Sequence, residues 1–393
     1  PVPEPNPIEI TQQGFGQDGQ SAGYAFIVTN PNPDFAIENT RYQIAAYDEN
    51  GTVVKTDNSY INLLLPNQTT GMAGSLWLDE GITVDKIEIQ ISQGDAVPTE
   101  PLPSFDIDTV TYMHNDYTTQ ATGIIHNPYN RHITDLRVSA VAYNADGDII
   151  GSGIIYHNFI LANDTTGVQV NVTSSGDVAT VELYPILSSL SLLKEETLIP
   201  NDATGLTLAK IGGGQNDFGA KFGTIVENPN QNYAIENTQY HVTVYAEDGH
   251  VLDTQEGYIE LILPGQTLGV VGDLYLIEEI PIDSIQIELL AGNFVKSEPL
   301  LTFTTENVSY QPGAYSEQVT GEILSPYNED VSNVIATAIL YDAEGDIIGG
   351  GYTYIDFILA NGKTAVEIYV ASSGNVATTE LYARISSLSE IGD

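Results

Sequence analysis

Lys86-Ile87-Glu88-Ile89-Gln90-Ile91 carries an apolar side chain at every second position, and Ser284-Ile285-Gln286-Ile287-Glu288-Leu289 repeats the pattern. Successive side chains of a strand point to opposite faces, so strict alternation sets one face on a core and the other in water. Residues 60–65 and 334–341 are apolar on both faces, which predicts central strands. Between such segments stand Asn50-Gly51, Asp146-Gly147, Asp248-Gly249 and Glu344-Gly345, where glycine supplies the positive φ of a tight hairpin. Pro66-Asn67, Pro264-Gly265 and Asn361-Gly362 add further turns. No window carries a capped amphipathic helix. Short strands with turns every ~8–12 residues are the pattern of a two-layer β-sandwich.

The two alternating stretches are copies of one another. Residue numbers differ by 198 (86 to 284), as they do between Asn30-Pro31-Asn32 and Asn228-Pro229-Asn230 and between Ala36-Ile37-Glu38-Asn39-Thr40 and Ala234-Ile235-Glu236-Asn237-Thr238. Phe159-Ile160-Leu161-Ala162-Asn163 and Ser174-Ser175-Gly176 recur at the same offset. Each unit is itself a pair: Tyr47 and Gly51 have counterparts in Tyr143 and Gly147, and Tyr245 and Gly249 in Tyr341 and Gly345. The period is too long for a solenoid repeat of ~20–50 residues. The chain therefore reads as all-β, four tandem β-sandwich domains in the order A-B-A-B, with boundaries at 1–98, 99–196, 197–296 and 297–393.

Composition narrows the use. With 11 basic and 53 acidic residues the formal net charge is −42, which argues against nucleic acid and anionic lipid as partners. There is no cysteine, hence no disulfide, thiolate chemistry or cysteine zinc site. No stretch approaches the ~18 apolar residues of a membrane span. Only 16% of residues are charged, below the usual ~25%, and Asn, Gln, Ser and Thr fill the surface, which points to a secreted or cell-surface protein. Pro1 in place of an initiator Met, followed by further prolines to Pro7, reads as a mature start after signal-peptide removal or as a trimmed chain.

Ala338-Ile339-Leu340-Tyr341-Asp342, followed by Ala343-Glu344-Gly345-Asp346-Ile347-Ile348-Gly349, resembles the motif that names the FxLYD domains, with Ala338 at the usual Phe. Val110-Thr111-Tyr112, Thr122-Gly123-Ile124-Ile125-His126-Asn127-Pro128 and their copies resemble the same family, as do Leu65-Pro66-Asn67-Gln68-Thr69 and Leu263-Pro264-Gly265-Gln266-Thr267 at its Pro-Gly-Gln turn. Ile44-Ala45-Ala46-Tyr47-Asp48 departs most. The resemblance implies immunoglobulin-like sandwiches in secreted or surface proteins of prokaryotes, and no catalytic residues.

The residues offer little chemistry. His114, His126, His132, His157, His241 and His250 do not recur at the repeat offset and read as surface or packing residues rather than ligands. There is no nucleophile elbow, phosphate loop or zinc-protease motif, so the chain reads as no enzyme. The best metal candidate is the hairpin with Asp342, Glu344 and Asp346, related to Asn144-Ala145-Asp146-Gly147-Asp148, where carboxylates would offer hard oxygens to Ca²⁺. The plainer reading is a tight turn, and no other cofactor is expected. Asn50, Asn67, Asn163, Asn171 and Asn307 stand in glycosylation sequons, near chance for this composition. Tyr47, Tyr143, Tyr245 and Tyr341, with Trp77 and its counterpart Tyr275, read as packing residues.

The A-to-B crossing Val97-Pro98-Thr99-Glu100-Pro101-Leu102-Pro103 is proline-rich, and Pro299 keeps the theme, so the modules read as joined stiffly into a rod. The segment Leu192-Leu193-Lys194-Glu195-Glu196-Thr197-Leu198-Ile199-Pro200 has no flexible run. Two periods of 198 make 396 against 393 residues present, so Ser389 of one chain would be followed by Pro1 of the next as Ser191 is by Ile199. The expected use is a structural protein that self-associates head to tail into a filament or surface layer, with Ile8-Glu9-Ile10-Thr11 as a strand to donate. A monomeric stalk is its equal. The competing class is an adhesin binding a glycan or a surface protein through end loops, such as those around Tyr129 and Tyr327.

Overall fold

The computed structural model describes residues 5–115, 118–188, 191, 199–217, 219–277, 280–298, 301–313, 316–386 and 388–392. Residues 192–198 of the junction, Pro299 and the first four residues lie outside this set. The chain is all-β and divides into two compact units, Pro1–Glu195 and Glu196–Asp393. No helix is long and apolar enough to cross a membrane among the described residues.

Unit 1 begins with β1 (Glu9–Asp18), β2 (Ser21–Thr29), β3 (Phe35–Tyr47), β4 (Val53–Leu64), β5 (Thr69–Trp77), β6 (Lys86–Ser92) and β7 (Asp95–Pro98). These form an antiparallel sheet β1-β2-β5 and a second sheet β4-β3-β6, with β7 also on β3. The A half of unit 1 is these two sheets around one core. The deciding stretch is β6: Ile87, Ile89 and Ile91 lie opposite Ala46, Ile44 and Tyr42 of β3 and join them in the core with Phe26 and Leu64. Ile44, Phe26 and Leu64 are fully buried, and a side chain of that size so placed contributes about 1.5–3 kcal/mol, while Ile89 and Ile91 are partly buried.

The B half follows with β8 (Asp106–His114), β9 (Thr119–His126), β10 (Ile133–Tyr143), β11 (Ile149–Ile160), β12 (Thr165–Asn171), β13 (Thr173–Ser174) and β14 (Thr180–Ile186). Its sheets are β12-β9-β8 and β13-β11-β10-β14. Unit 2 repeats the plan. Its A half holds β15 (Thr207–Asn216), β16 (Gly219–Glu227), β17 (Tyr233–Tyr245), β18 (Val251–Ile262), β19 (Thr267–Leu274), β20 (Ser284–Leu290) and β21 (Asn293–Lys296). Its B half holds β22 (Thr304–Gln311), β23 (Glu317–Leu324), β24 (Val331–Tyr341), β25 (Ile347–Ile358), β26 (Lys363–Ser372) and β27 (Thr378–Arg384). Here β26 runs unbroken where unit 1 has β12 and β13, so it pairs with both β23 and β25 and joins the B half into one six-stranded sheet.

Inside each unit the halves pack directly on one another rather than hanging on a linker. In unit 1, Ala25, Ile27 and Ala73 of the A half and Val141, Tyr143 and Ile149 of the B half form a buried cluster. Ile225, Val271, Ile339, Tyr341 and Ile347 repeat it in unit 2. The sheets approach so closely that a Cβ at Gly14 or Gly16 would overlap the carbonyl oxygens of Ile149 or Ile150. Gly212 and Gly214 stand in the same way against Ile347 and Ile348. Ser152 Oγ donates across the seam to Tyr24 O at 2.8 Å. The halves of a unit are therefore joined by a buried seam as well as by the proline-rich crossing.

Two expectations change. Residues 60–65 do not form a central strand, because β4 is a sheet edge and Tyr60 is exposed. The second apolar face is real, but its cover is the other half: Leu63 and Ala36 belong to the core of the B half. Residues 334–341, in β24, are central and buried as read. Ile10, offered as part of a donated strand, is already paired, opposite Val28 in the same sheet.

The repeated Asn-Pro-Asn motif has a definite task. Asn30, fully buried, donates through Nδ2 to the carbonyls of Phe35, Leu64 and Leu65 and accepts from the backbone of Asn32. Asn32 then exchanges two hydrogen bonds with the backbone of Asn6. Asn228 and Asn230 repeat both arrangements, with Thr204 as the incoming residue.

Candidate functional site

The acidic hairpin is built as a turn. Gly51, Gly147, Gly249 and Gly345 all have positive φ, between 76° and 85°. Asp342 Oδ1 accepts the backbone N–H of Glu344 and of Asp346 at 3.1 and 2.8 Å. Asn144 does the same for Asp146 and Asp148 at 3.0 and 2.8 Å, so a neutral amide suffices for this task. The backbone N–H of Thr52 holds the Asp48 carboxyl below the usual carboxylate range, and that of His250 does so for Asp248. Glu344 and Asp346 are exposed. The ammonium of Lys210 donates to Gly345 O at 2.7 Å and lies 4.8 Å from the Tyr341 ring centre, so a protein cation already docks this turn on the A half.

The four repeated tyrosines close each hairpin strand onto its neighbour. Tyr47, Tyr143 and Tyr341 donate to Glu88, Glu182 and Glu380, and Tyr245 donates to Gln286. Tyr143 and Tyr341 are buried because the other half covers them; Tyr47 and Tyr245 are half-buried. Tyr129 and Tyr327, placed by the sequence on ligand-binding loops, donate instead to Pro103 O and Leu301 O and meet Phe105 and Phe303 edge-on. They fasten the A-to-B crossing and are spent on that. Among the histidines, His132 Nδ1 accepts from Ala162 N, His114 meets the Thr119 hydroxyl, His250 lies against Asp248, and His157 and His241 are buried.

Trp77 and Tyr275 are not packing residues: each is 68% exposed. Alternation along β5 puts Leu76 in the core and Trp77 outside. Both copies keep an aromatic on the exposed face of this strand. Tyr60 and Tyr156 are exposed too, as are their counterparts Tyr258 and Tyr354.

In unit 2 these aromatics edge a cleft of about 290 Å³, where the A half meets the B half. Tyr258, Tyr275 and Tyr354 line it together with Gln255, Glu260 and Arg384. Tyr352 and Tyr354 stand edge to face with ring centres 6.0 Å apart, and Tyr352 donates to Asp273, which is also paired with Lys221. The backbone of Tyr275 is anchored from below by buried Asp253, whose Oδ2 accepts its N–H at 2.7 Å. Burial pushes the Asp253 carboxyl up. Arg384 Nε and Nη1 are buried and have no hydrogen-bond partner among the described residues. Burial also pulls this guanidinium below its ordinary pKa, with Glu260 acting against that.

The arginine exposes a difference between the copies. In unit 1, Arg137 on β10 lies opposite Ile186 on β14; in unit 2, Ile335 lies opposite Arg384. The same cross-strand pair is kept with its members exchanged. Arg137 turns to the A half and donates through Nη2 to Ala73 O, while Ile186 fills the core. The exchange leaves the unit 2 arginine beside the cleft. Around it Asn62 becomes Glu260, Ser75 becomes Asp273 and Ile154 becomes Tyr352.

No protein-family model matches the chain, and a comparison with curated proteins finds no match.

Proposed function

We propose that this chain is a non-enzymatic structural protein of the cell surface or extracellular space, made of four immunoglobulin-like sandwiches in A-B-A-B order. The observation that carries this reading is the glycine-lined seam, repeated in both units, which makes an A-B pair one stiff element. A surface rich in uncharged polar residues and poor in lysine supports the location. Two near-copies in one chain present matching surfaces to a neighbouring chain, and a contact of that kind that does not close propagates as a fibre or layer. At −42 per chain, association is opposed until counterions screen it. Electron microscopy of concentrated protein is expected to show filaments or sheets that increase with added NaCl or Ca²⁺. Single particles alone under all conditions, or assembly strongest at the lowest ionic strength, would contradict the proposal. The repeated exposed aromatics favour a second reading, an adhesin.

A further inference from the structure

We infer that the cleft of unit 2 is a binding site for a neutral saccharide, with Tyr258, Tyr275 and Tyr354 as stacking faces and Arg384 as the hydrogen-bond donor.

The argument begins with the arginine. A guanidinium carries five N–H donors and Arg384 lines the cleft, so it can offer a hydrogen bond to an acceptor that enters there, although its Nε and Nη1 are themselves buried. Its counterpart Arg137 meets a backbone carbonyl through Nη2 while its own Nε is left without a partner among the described residues, so the two arginines differ in where they turn, Arg137 to Ala73 and Arg384 to the cleft. The rim supplies the other half of the chemistry. Tyrosines are apolar on the ring face and polar at the tip, and three of them stand exposed at the edge of one recess. The C–H face of a pyranose ring covers such a surface, while its hydroxyls both donate and accept. They accept from Arg384 and donate to Glu260 or Gln255.

Charge selects against the alternatives. Asp273 is paired with Lys221 and Glu256 lies 3.5 Å from His241, while Glu260 acts on Arg384, so carboxylates and a guanidinium share the lining. An anionic ligand would meet these carboxylates on a chain of net charge −42. A cationic one would meet the buried guanidinium. A neutral polyhydroxylated ligand meets neither cost. At about 290 Å³ the cleft lies at the small end of ligand sites and suits a short stretch of a glycan. It lies on strand faces between the halves rather than on end loops, which is why loop comparison does not find it.

The test is calorimetric titration of the full chain with cellotriose, maltotriose and mannotriose, and with trigalacturonate as the anionic control. At least one neutral trisaccharide is expected to bind at millimolar concentration or below, and more tightly than trigalacturonate. Arg384→Met is expected to weaken that binding on the order of tenfold or more. Tyr275→Ala, at an exposed rim position, is expected to weaken it while leaving the melting temperature at the parent value. Trp77→Ala, the equivalent change in unit 1, is expected to leave affinity unchanged. Absence of binding by all three neutral sugars, preference for trigalacturonate, or binding indifferent to both unit 2 substitutions would overturn the inference. The result is independent of whether the protein assembles, so failure here and failure of the structural reading are separately visible.

Discussion

Gly16→Val and Gly214→Val are each expected to destabilise their own unit by about 3 kcal/mol, near the top of the range for overpacking. The reason lies in what the new side chain would meet. A Cβ at Gly16 would overlap Ile150 O and Ser175 N, which are hydrogen-bonded to each other at 2.9 Å. At Gly214 it would meet Ile348 O and Ser373 N, bonded at 2.8 Å. These are backbone atoms of the facing half and cannot rotate aside as a side chain would. The seam must open or a sheet must bend. Gly205→Ala, whose Cβ would find nothing nearer than 3.6 Å, is the control and is expected to stay within about 0.5 kcal/mol. Denaturant unfolding of the three variants checks this, with amide exchange at 149–152 and 347–350 reporting the seam. Equal midpoints for all three would mean that the halves do not press together as described.

Asn30→Ala and Asn228→Ala are expected to cost a similar amount, about 3 kcal/mol each, from orphaned polar groups and a small void. Asn30 satisfies three carbonyls at 2.8, 3.3 and 2.9 Å from one buried amide, and Asn228 does so at 2.8, 3.2 and 3.0 Å. Removing the amide takes a buried donor from those carbonyls, of which Leu65 O and Leu263 O keep the backbone N–H of Gln68 and Gln266. It also releases Asn32 or Asn230, and with it the segment entering the unit. Asn127 repeats the scheme in the B half of unit 1, but in unit 2 the place is taken by Ser325, which accepts one bond from Tyr327 N at 3.3 Å. Ser325→Ala is therefore expected to cost less than about 1 kcal/mol. Chemical denaturation of the variants decides the matter; an Asn30→Ala loss as small as that of Ser325→Ala would refute the assigned role.

Much of this architecture can be read from the amino acids. Alternation in 86–91 identifies β6 and its inward face, and Gly51, Gly147, Gly249 and Gly345 do take positive φ, whereas in Asn361-Gly362 it is the asparagine that does. The duplication of the units is legible because copies keep the same turns and buried asparagines. The union of halves is not, because Gly14 and Gly16 look like loosened strand positions until the facing backbone is known. The apolar faces of 36 and 63–65 carried the signal, but burial by a neighbouring half and burial at the centre of a sheet leave the same pattern. The cleft was hidden for a related reason. Arg137 and Arg384 do not align in the repeat, and only strand register reveals them as two members of one cross-strand pair. Trp77 and Tyr275 show that an aromatic can recur at equivalent positions on an exposed face, so repetition alone does not reveal burial.

The mechanical element, on this account, is the A-B pair locked by its seam. Stretching single molecules tests it most directly. Two unfolding steps are predicted, each releasing about 700 Å of chain, from units of 195 and 198 residues at ~3.6 Å per residue. Four steps of about half that length would show halves that yield independently, and would contradict it.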